Sequence, residues 1–434
     1  MLPIEDLAGF LTEDGTINYG ILMRFWRKEV MGWKNARILA TTYNEVLEYA
    51  YDVGLIKVQE IVTSRWIERM EKNNAVPPDE MRRRILTTLL NIPSAYFGLT
   101  ALKTLPPFSE DRKLPIPTTN LVDIGEYQAR LNIIWTSPYA TFNEVRTKIY
   151  SLQDIVLYGT AQQRTQASYL LCQYLIASGN VQRAQGYMTS AIADLNNALT
   201  LAQEKEYRDL EAKILYLRSY SFSERWSGRP DRFQNREDLL QAIEDSTVAL
   251  EKVERKAENR ALLGAILELQ GTNLASHTQD TKDKLNALTF NDEAIKVVSA
   301  NNFRQDPHFF KIDEVWTHLG KAQACIAVGY PHSALEELAG LRKGNPRKMR
   351  RYLTALVEEA EAYIEIGNIE VGVAYAEDAL IITKDTTSRS HLARIHNLYT
   401  LLMKHDKYRR SPDVARLGAK LLISQHPEIF AGTV

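Results

Sequence analysis

Downstream of residue 160 the chain is a succession of apolar runs at helical period, and four of them are closed by Gly179, Gly271, Gly329 and Gly367. Seven residues before each glycine stands a small residue: Cys172, Gly264, Ala322 and Ala360. Five residues after three of them stand Ala184, Ala334 and Gly372. Small residues at these offsets let two antiparallel helices approach closely, which a stacked hairpin requires. The pattern predicts hairpins over 166–199, 209–254, 258–300, 313–345, 349–384 and 389–424. The second and third have longer loops, Ser227–Glu237 and Thr272–Lys282. Helices near 121–136 and 140–158 are expected to cap the stack.

Proline divides the rest. Seven of the 15 prolines fall between positions 77 and 117. Four of these lie in Leu105–Thr118, beside Ser109, Glu110, Asp111 and Arg112, and the segment reads as an extended linker. The expected boundaries are an N-terminal extension over 1–19, a head over 20–103, the linker over 104–119, capping helices over 120–160 and repeats over 161–426. From Gly20 to Lys103, 13 Lys/Arg against 9 Asp/Glu leave +4, so in a chain of net −1 the remainder carries −5. A basic head on an acidic body points weakly to nucleic acid at the head.

Within the head, Thr63 is a good N-cap and Trp66, Ile67 and Met70 form one apolar stripe. Ser64, Arg65, Glu68, Arg69 and Lys72 are left on the opposite face. A short helix with one anchored and one basic face suits the major groove of duplex DNA. Trp66 is expected to be a core anchor, and Asn73 to take a left-handed C-cap. Pro77, Pro78, Asp79 and Glu80 then open the next helix.

These residues resemble the phage-repressor/Cro-type (XRE-like) helix-turn-helix family, whose pattern reads roughly V-S-x-x-x-I-x-x-W-E-x-G, then P-S, then a helix ending L-G-V. Val62, Thr63, Ile67, Met70, Glu71, Asn73, Pro77 and Leu90-Asn91-Ile92 fall on it in register. Met31 to Asn35 resembles the family's turn into its second helix, with Ile38, Leu39 and Ala40 following. The first helix is then Ile21–Val30. Thr41–Ile61 is an insertion, so the second helix is longer or a loop intervenes. The resemblance implies DNA contacts from Arg24, Arg27, Lys34, Arg37, Thr63, Ser64, Arg65, Arg69 and Lys72.

The body resembles a tetratricopeptide-repeat (TPR) domain. Its clearest copy runs from Ala360 through Tyr363 and Gly367 to Ala379. Together the two likenesses imply an all-α protein, a small helix-turn-helix domain followed by a TPR-like α-solenoid. The first helix of each hairpin is expected to line a groove for a peptide or protein, through Tyr169, Gln173, Tyr220, Gln323, Glu361, Arg394 and Asn397. Ala265 falls on the same face. Peptide-sensing bacterial transcriptional regulators share this architecture, which implies double-stranded DNA as partner and a homodimer whose geometry the ligand controls. A second reading of the same residues is a scaffold that binds proteins, with a degenerate head.

Composition narrows the alternatives. With 45% apolar and 25% charged residues, the 434-residue chain is neither a disordered polymer nor a disulfide scaffold. Cys172 and Cys325 lie in apolar segments and read as core residues of a reducing compartment. The acidic start has no basic n-region, and no apolar stretch is long enough for a membrane span, so a cytoplasmic location is expected. Phosphate-loop, dinucleotide, zinc-protease and nucleophile-elbow motifs are missing, and the eight histidines lack ligand spacing. No enzyme activity, metal or cofactor is expected. Glu336-Glu337 and Glu358-Glu359 read as solvated faces, and Arg342–Arg351 as a basic inter-repeat turn.

Overall fold

The computed structural model describes residues 10, 17–56, 60–77, 79–97, 99, 124–136, 142–229, 235–278, 280–299, 312–339, 341, 349–386 and 388–427. The extended elements among them are helices, as the all-α expectation requires. The proposed linker and all but the last few residues of the basic turn lie outside the described residues. The chain separates into two compact units. One gathers 1–105, 367–386 and 395–434, and the other 106–366 and 387–394.

In the first unit the local signals act as expected. Helix α1 (Tyr19–Phe25) is capped by Asn18, whose side chain accepts from the Ile21 amide. It runs into a π-helical turn, Trp26–Val30, where one regular helix was expected. Helix α2 (Ala36–Asp52) is capped by Asn35 and continues well past Ala40. Helix α3 (Ser64–Asn73) starts at Thr63, whose hydroxyl accepts from the Trp66 amide. It ends at Asn74, with φ +51°, one residue beyond the position expected for the left-handed cap. Helix α4 (Glu80–Leu90) is capped by Asp79 and closed by Asn91.

The segment 41–61 is therefore a longer second helix followed by a loop. The Asn44 side chain shows how the loop returns. It donates to the Val62 carbonyl at 2.9 Å and accepts from the Val62 amide at 2.7 Å. This clamp brings the start of α3 back beside the middle of α2. Helix α3 packs on α1 and α2 through Ile67 and Met70. Trp66 is only half-buried, its ring tilted against Tyr43, so it edges the core rather than filling it.

The head does not end at residue 103 as a separate body. Helices α2 and α4 pack on α18 (Pro412–Gln425), which in turn packs on α16 (Ile369–Thr386). The Trp33 indole N–H donates to the Arg410 carbonyl at 2.8 Å, and the Tyr49 and Ser424 hydroxyls meet at 2.7 Å. Arg416 bridges Glu45 of α2 and Glu377 of α16.

The second unit begins with α5 (Ile124–Thr136) and α6 (Phe142–Tyr158). Four hairpins follow: α7 (Ala161–Ala184) with α8 (Met188–Glu204), α9 (Arg208–Ser227) with α10 (Glu237–Lys252), α11 (Arg260–His277) with α12 (Thr281–Ser299), and α13 (Glu314–Ala327) with α14 (Pro331–Ala339). Helix α15 (Met349–Ile366) and the start of α17 (Arg389–Met403) complete the unit. Successive hairpins pack side by side, first helix on first helix. The anchor glycines divide into two kinds. Gly179 and Gly271 lie inside helices, where a Cβ would strike Leu195 and Asn291 of the partner helices. Gly329 and Gly367 sit at helix ends with φ of +86° and +90°, where the chain needs the left-handed region. The shared letter hides two physical roles.

Candidate functional site

The first helices of the hairpins, together with Trp135 of α5 and Ile312, enclose a cavity of about 500 Å³ within the second unit. Every other lining residue comes from α7, α9, α11, α13, α15 or the first turns of α17. That is the set of helices expected to form a concave face. Of the residues expected there, Tyr220, Gln323 and Arg394 line the cavity. Glu361 stands behind Arg394, accepting from its Nε at 3.1 Å and Nη2 at 2.7 Å. Tyr169 and Gln173 are not among the lining residues, and Tyr169 packs edge-on against Tyr207. Ala265 is fully buried in the core. Asn397 belongs to the other unit.

Aromatic rings and arginines form one wall. The Arg183 guanidinium lies 4.2 Å from the Tyr220 ring centre, a cation–π contact in a desolvated place. Trp316 meets Tyr220 edge-to-face, and Tyr216 tilts against it. Arg183 donates to Glu224 at 2.9 Å and to Asn180 at 3.1 Å. Burial alone would lower the Arg183 and Arg394 pKa values, but the charges of Glu224 and Glu361 respectively hold both above the ordinary value. Both guanidinium groups stay charged. His391 is hydrogen-bonded on both ring nitrogens, to Ser388 at 2.6 Å and Thr354 at 2.9 Å.

The carboxyl groups opposite were not foreseen. Glu358 is 1% exposed, and neither of its carboxyl oxygens has a hydrogen-bond partner. Its nearest cation, Arg394 Nη1, is 3.8 Å away. Burial pushes its carboxyl well above the usual range, with Arg394 pulling the other way. Burial also raises Glu268 to about 7, partly offset by the Thr272 hydroxyl and Trp316. Gly320 of α13 leaves the space that the Glu268 side chain fills, since a Cβ there would collide with that carboxylate. Glu358 and Glu359 are thus buried, which corrects the reading of that pair as a solvated face. Glu337 is half-buried and bonded to Lys321 and His318, while Glu336 is exposed.

One signal for Glu268 was present in the sequence. Apart from Glu268, every residue from Ala261 to Leu269 is apolar or glycine, and in the structure all of α11 from Ala261 to Asn273 is buried. A helix buried all round tolerates a carboxylate only for a reason.

In the first unit, the residues expected at DNA fall into two groups. Arg65, Arg69 and Lys72 are exposed on α3, with Ser64 half-buried at its start and Thr63 spent on the cap. Arg24, Lys34 and Arg37 are also exposed. Arg27 differs: it is 3% exposed and holds Glu71 at 2.6 and 2.8 Å, and the carbonyls of Trp33 and Lys34 at 2.6 and 3.0 Å. A guanidinium so enclosed ties α3 to the π turn and has no face left for a phosphate.

Among the described residues no group of His, Cys, Asp and Glu has the arrangement of a metal site, and no helix is long and apolar enough to cross a membrane. Both cysteines are buried. No protein-family model, curated protein or solved structure matches the chain.

Proposed function

We propose that this chain is a ligand-responsive DNA-binding regulator, in which a TPR-like helical stack takes a short peptide or related ligand and a helix-turn-helix head reads duplex DNA. The observation that supports it best is the cavity of about 500 Å³ enclosed by the first helices of successive hairpins. A concave site mixing aromatic walls with a few buried polar groups is what ligand pockets are made of. Support for the DNA-reading part comes from α3. Its cap and its Ile67–Met70 face are anchored, while Arg65, Arg69 and Lys72 face solvent. Arg24, Lys34 and Arg37 are the candidates for backbone contacts, and Arg27 is excluded from that role. A homodimer would present two such helices to a two-fold site.

Binding of the full chain to a pool of random duplexes, followed by salt titration of the selected sequence, tests this reading. With roughly four to eight phosphates contacted, log K should fall with log salt at a slope of about −4 to −7. Arg65→Ala should cost about 1–3 kcal/mol of affinity. Absence of selective binding would overturn the DNA assignment. It would favour a protein-docking head, a reading that the exposed Glu68 beside Arg65 and Arg69 supports.

A further inference from the structure

The charges around the cavity do not close. Arg183 is matched by Glu224 at 2.9 Å, Arg394 by Glu361 at 2.7 Å, and Arg351 by Asp313. With those three pairs complete, Glu268 has no cation within 4 Å among the described residues, and Glu358 has only Arg394, already bonded to Glu361, at 3.8 Å. Glu268 accepts from the Thr272 hydroxyl at 3.3 Å. Glu358 has no hydrogen bond at all, although both of its oxygens are buried in the cavity wall.

An unsatisfied carboxyl in a dry place is expensive, by several times the net worth of an ordinary hydrogen bond. Folds seldom keep one without use. The paired arginines also matter, because an anionic ligand would have to displace Glu224 or Glu361 from a formed ion pair. A cation meets no such competitor. It gains one carboxyl without a donor, Glu358, and one with a single hydroxyl donor, Glu268, and Tyr216, Tyr220 and Trp316 line the same cavity. Leu217, Leu269 and Leu319 supply an apolar floor for the carbon skeleton next to it.

From this charge deficit we infer that the cavity recognises a ligand through a primary ammonium group, seated between Glu268 and Glu358, with an apolar or aromatic portion against the Tyr220–Trp316 wall. This rests on the reading of the cavity as a ligand site and adds the chemical class of the ligand. The shared chemistry is an alkyl ammonium, which the N-terminus of a short peptide or a polyamine can present. In the absence of ligand, burial favours the protonated form of both carboxyls. The entering ammonium supplies the missing donors and the positive charge, so both carboxyls can ionise in its presence.

Calorimetric titration of the full chain with four probes tests the inference: phenylalanyl-leucinamide, its N-acetyl derivative, spermidine and 3-phenylpropionate. The free-amine dipeptide should bind, and acetylation should weaken it about tenfold or more. Glu358→Gln and Glu268→Gln should each cost a similar factor for the free amine and leave the weak binding of the acetylated form unchanged. Thermal melts of both variants check folding, and Glu358→Gln removes no hydrogen bond that the fold uses. Spermidine binding at least as tightly as the dipeptide, with the same sensitivity to both variants, would support the ammonium site and assign it to a polyamine. Tight binding of 3-phenylpropionate, or of the acetylated dipeptide, would overturn the cationic class while leaving the cavity a ligand site. Failure of all four probes to bind would overturn the ammonium inference and the ligand-site reading together.

Discussion

Arg27 in the first unit and Glu358 in the second are both ionisable side chains drawn almost wholly out of water, yet their surroundings treat them in opposite ways. Arg27 is satisfied by a two-pronged carboxylate and two backbone carbonyls. Arg416 of the same unit is likewise shared among Glu45, Glu377 and Asp413. Glu358 has no hydrogen bond, and Glu268 has little more. Buried charge in the first unit holds helices together. The second unit has complete pairs too, such as Arg183–Glu224, but beside them Glu268 and Glu358 are buried in a cavity wall with no such set of partners. The difference separates a structural ion pair from a site: the first is complete in the folded chain, and the second is completed by something else.

The sharpest way to break the comparison is at Arg27. Arg27→Met strands the Glu71 carboxylate in the core and should cost about 3–5 kcal/mol, seen as an earlier transition in urea. Adding Glu71→Leu should recover most of that loss. If the single substitution is neutral, Arg27 is no keystone and the contrast collapses.

Glu268 gives the next effect. Its carboxyl titrates near 4.5 when unfolded and about 7 when folded, so between these values the native state holds the extra proton. Stability of the second unit should therefore fall as pH rises from 4.5 to 7, by about 3 kcal/mol, and level off above that. Glu268→Gln should flatten the dependence in thermal melts across the range. A wild-type profile that rises over this window would show that the group is ionised in the native cavity.

Smaller effects sharpen the local side of the comparison. Asn44→Ala removes both hydrogen bonds that return the chain to α3 and should cost about 1–2 kcal/mol, with faster amide exchange at Val62. Gly329→Ala has open space around the new methyl but keeps a positive φ, so it should cost only about 1 kcal/mol of strain. A larger loss at Gly329 would mean that the turn packs more tightly than its geometry indicates.

What the sequence by itself determined is the local order. The Thr63 cap, the stop near Asn73, the helix entry at Asp79–Glu80 and the succession of hairpin helices from 161 onward follow from signals within a turn or two of each residue. The expectation that the first helix of each hairpin lines a groove came from the likeness to TPR stacks, and of the residues expected there Tyr220, Gln323 and Arg394 line the cavity. The tertiary structure decided the rest. Neither the enclosure of Arg27 by Glu71, 44 positions away, nor the packing of α2 and α4 on α18 has a signature within a helical turn. The fate of Glu358 was equally hidden. Beside Glu359 on one helix it reads as a solvated face, and only the packing of α13 and α14 on α15, with Arg394 of α17 alongside, buries it. Burial is a property of neighbours brought from far along the chain, and it turned an ordinary surface carboxylate into an open site.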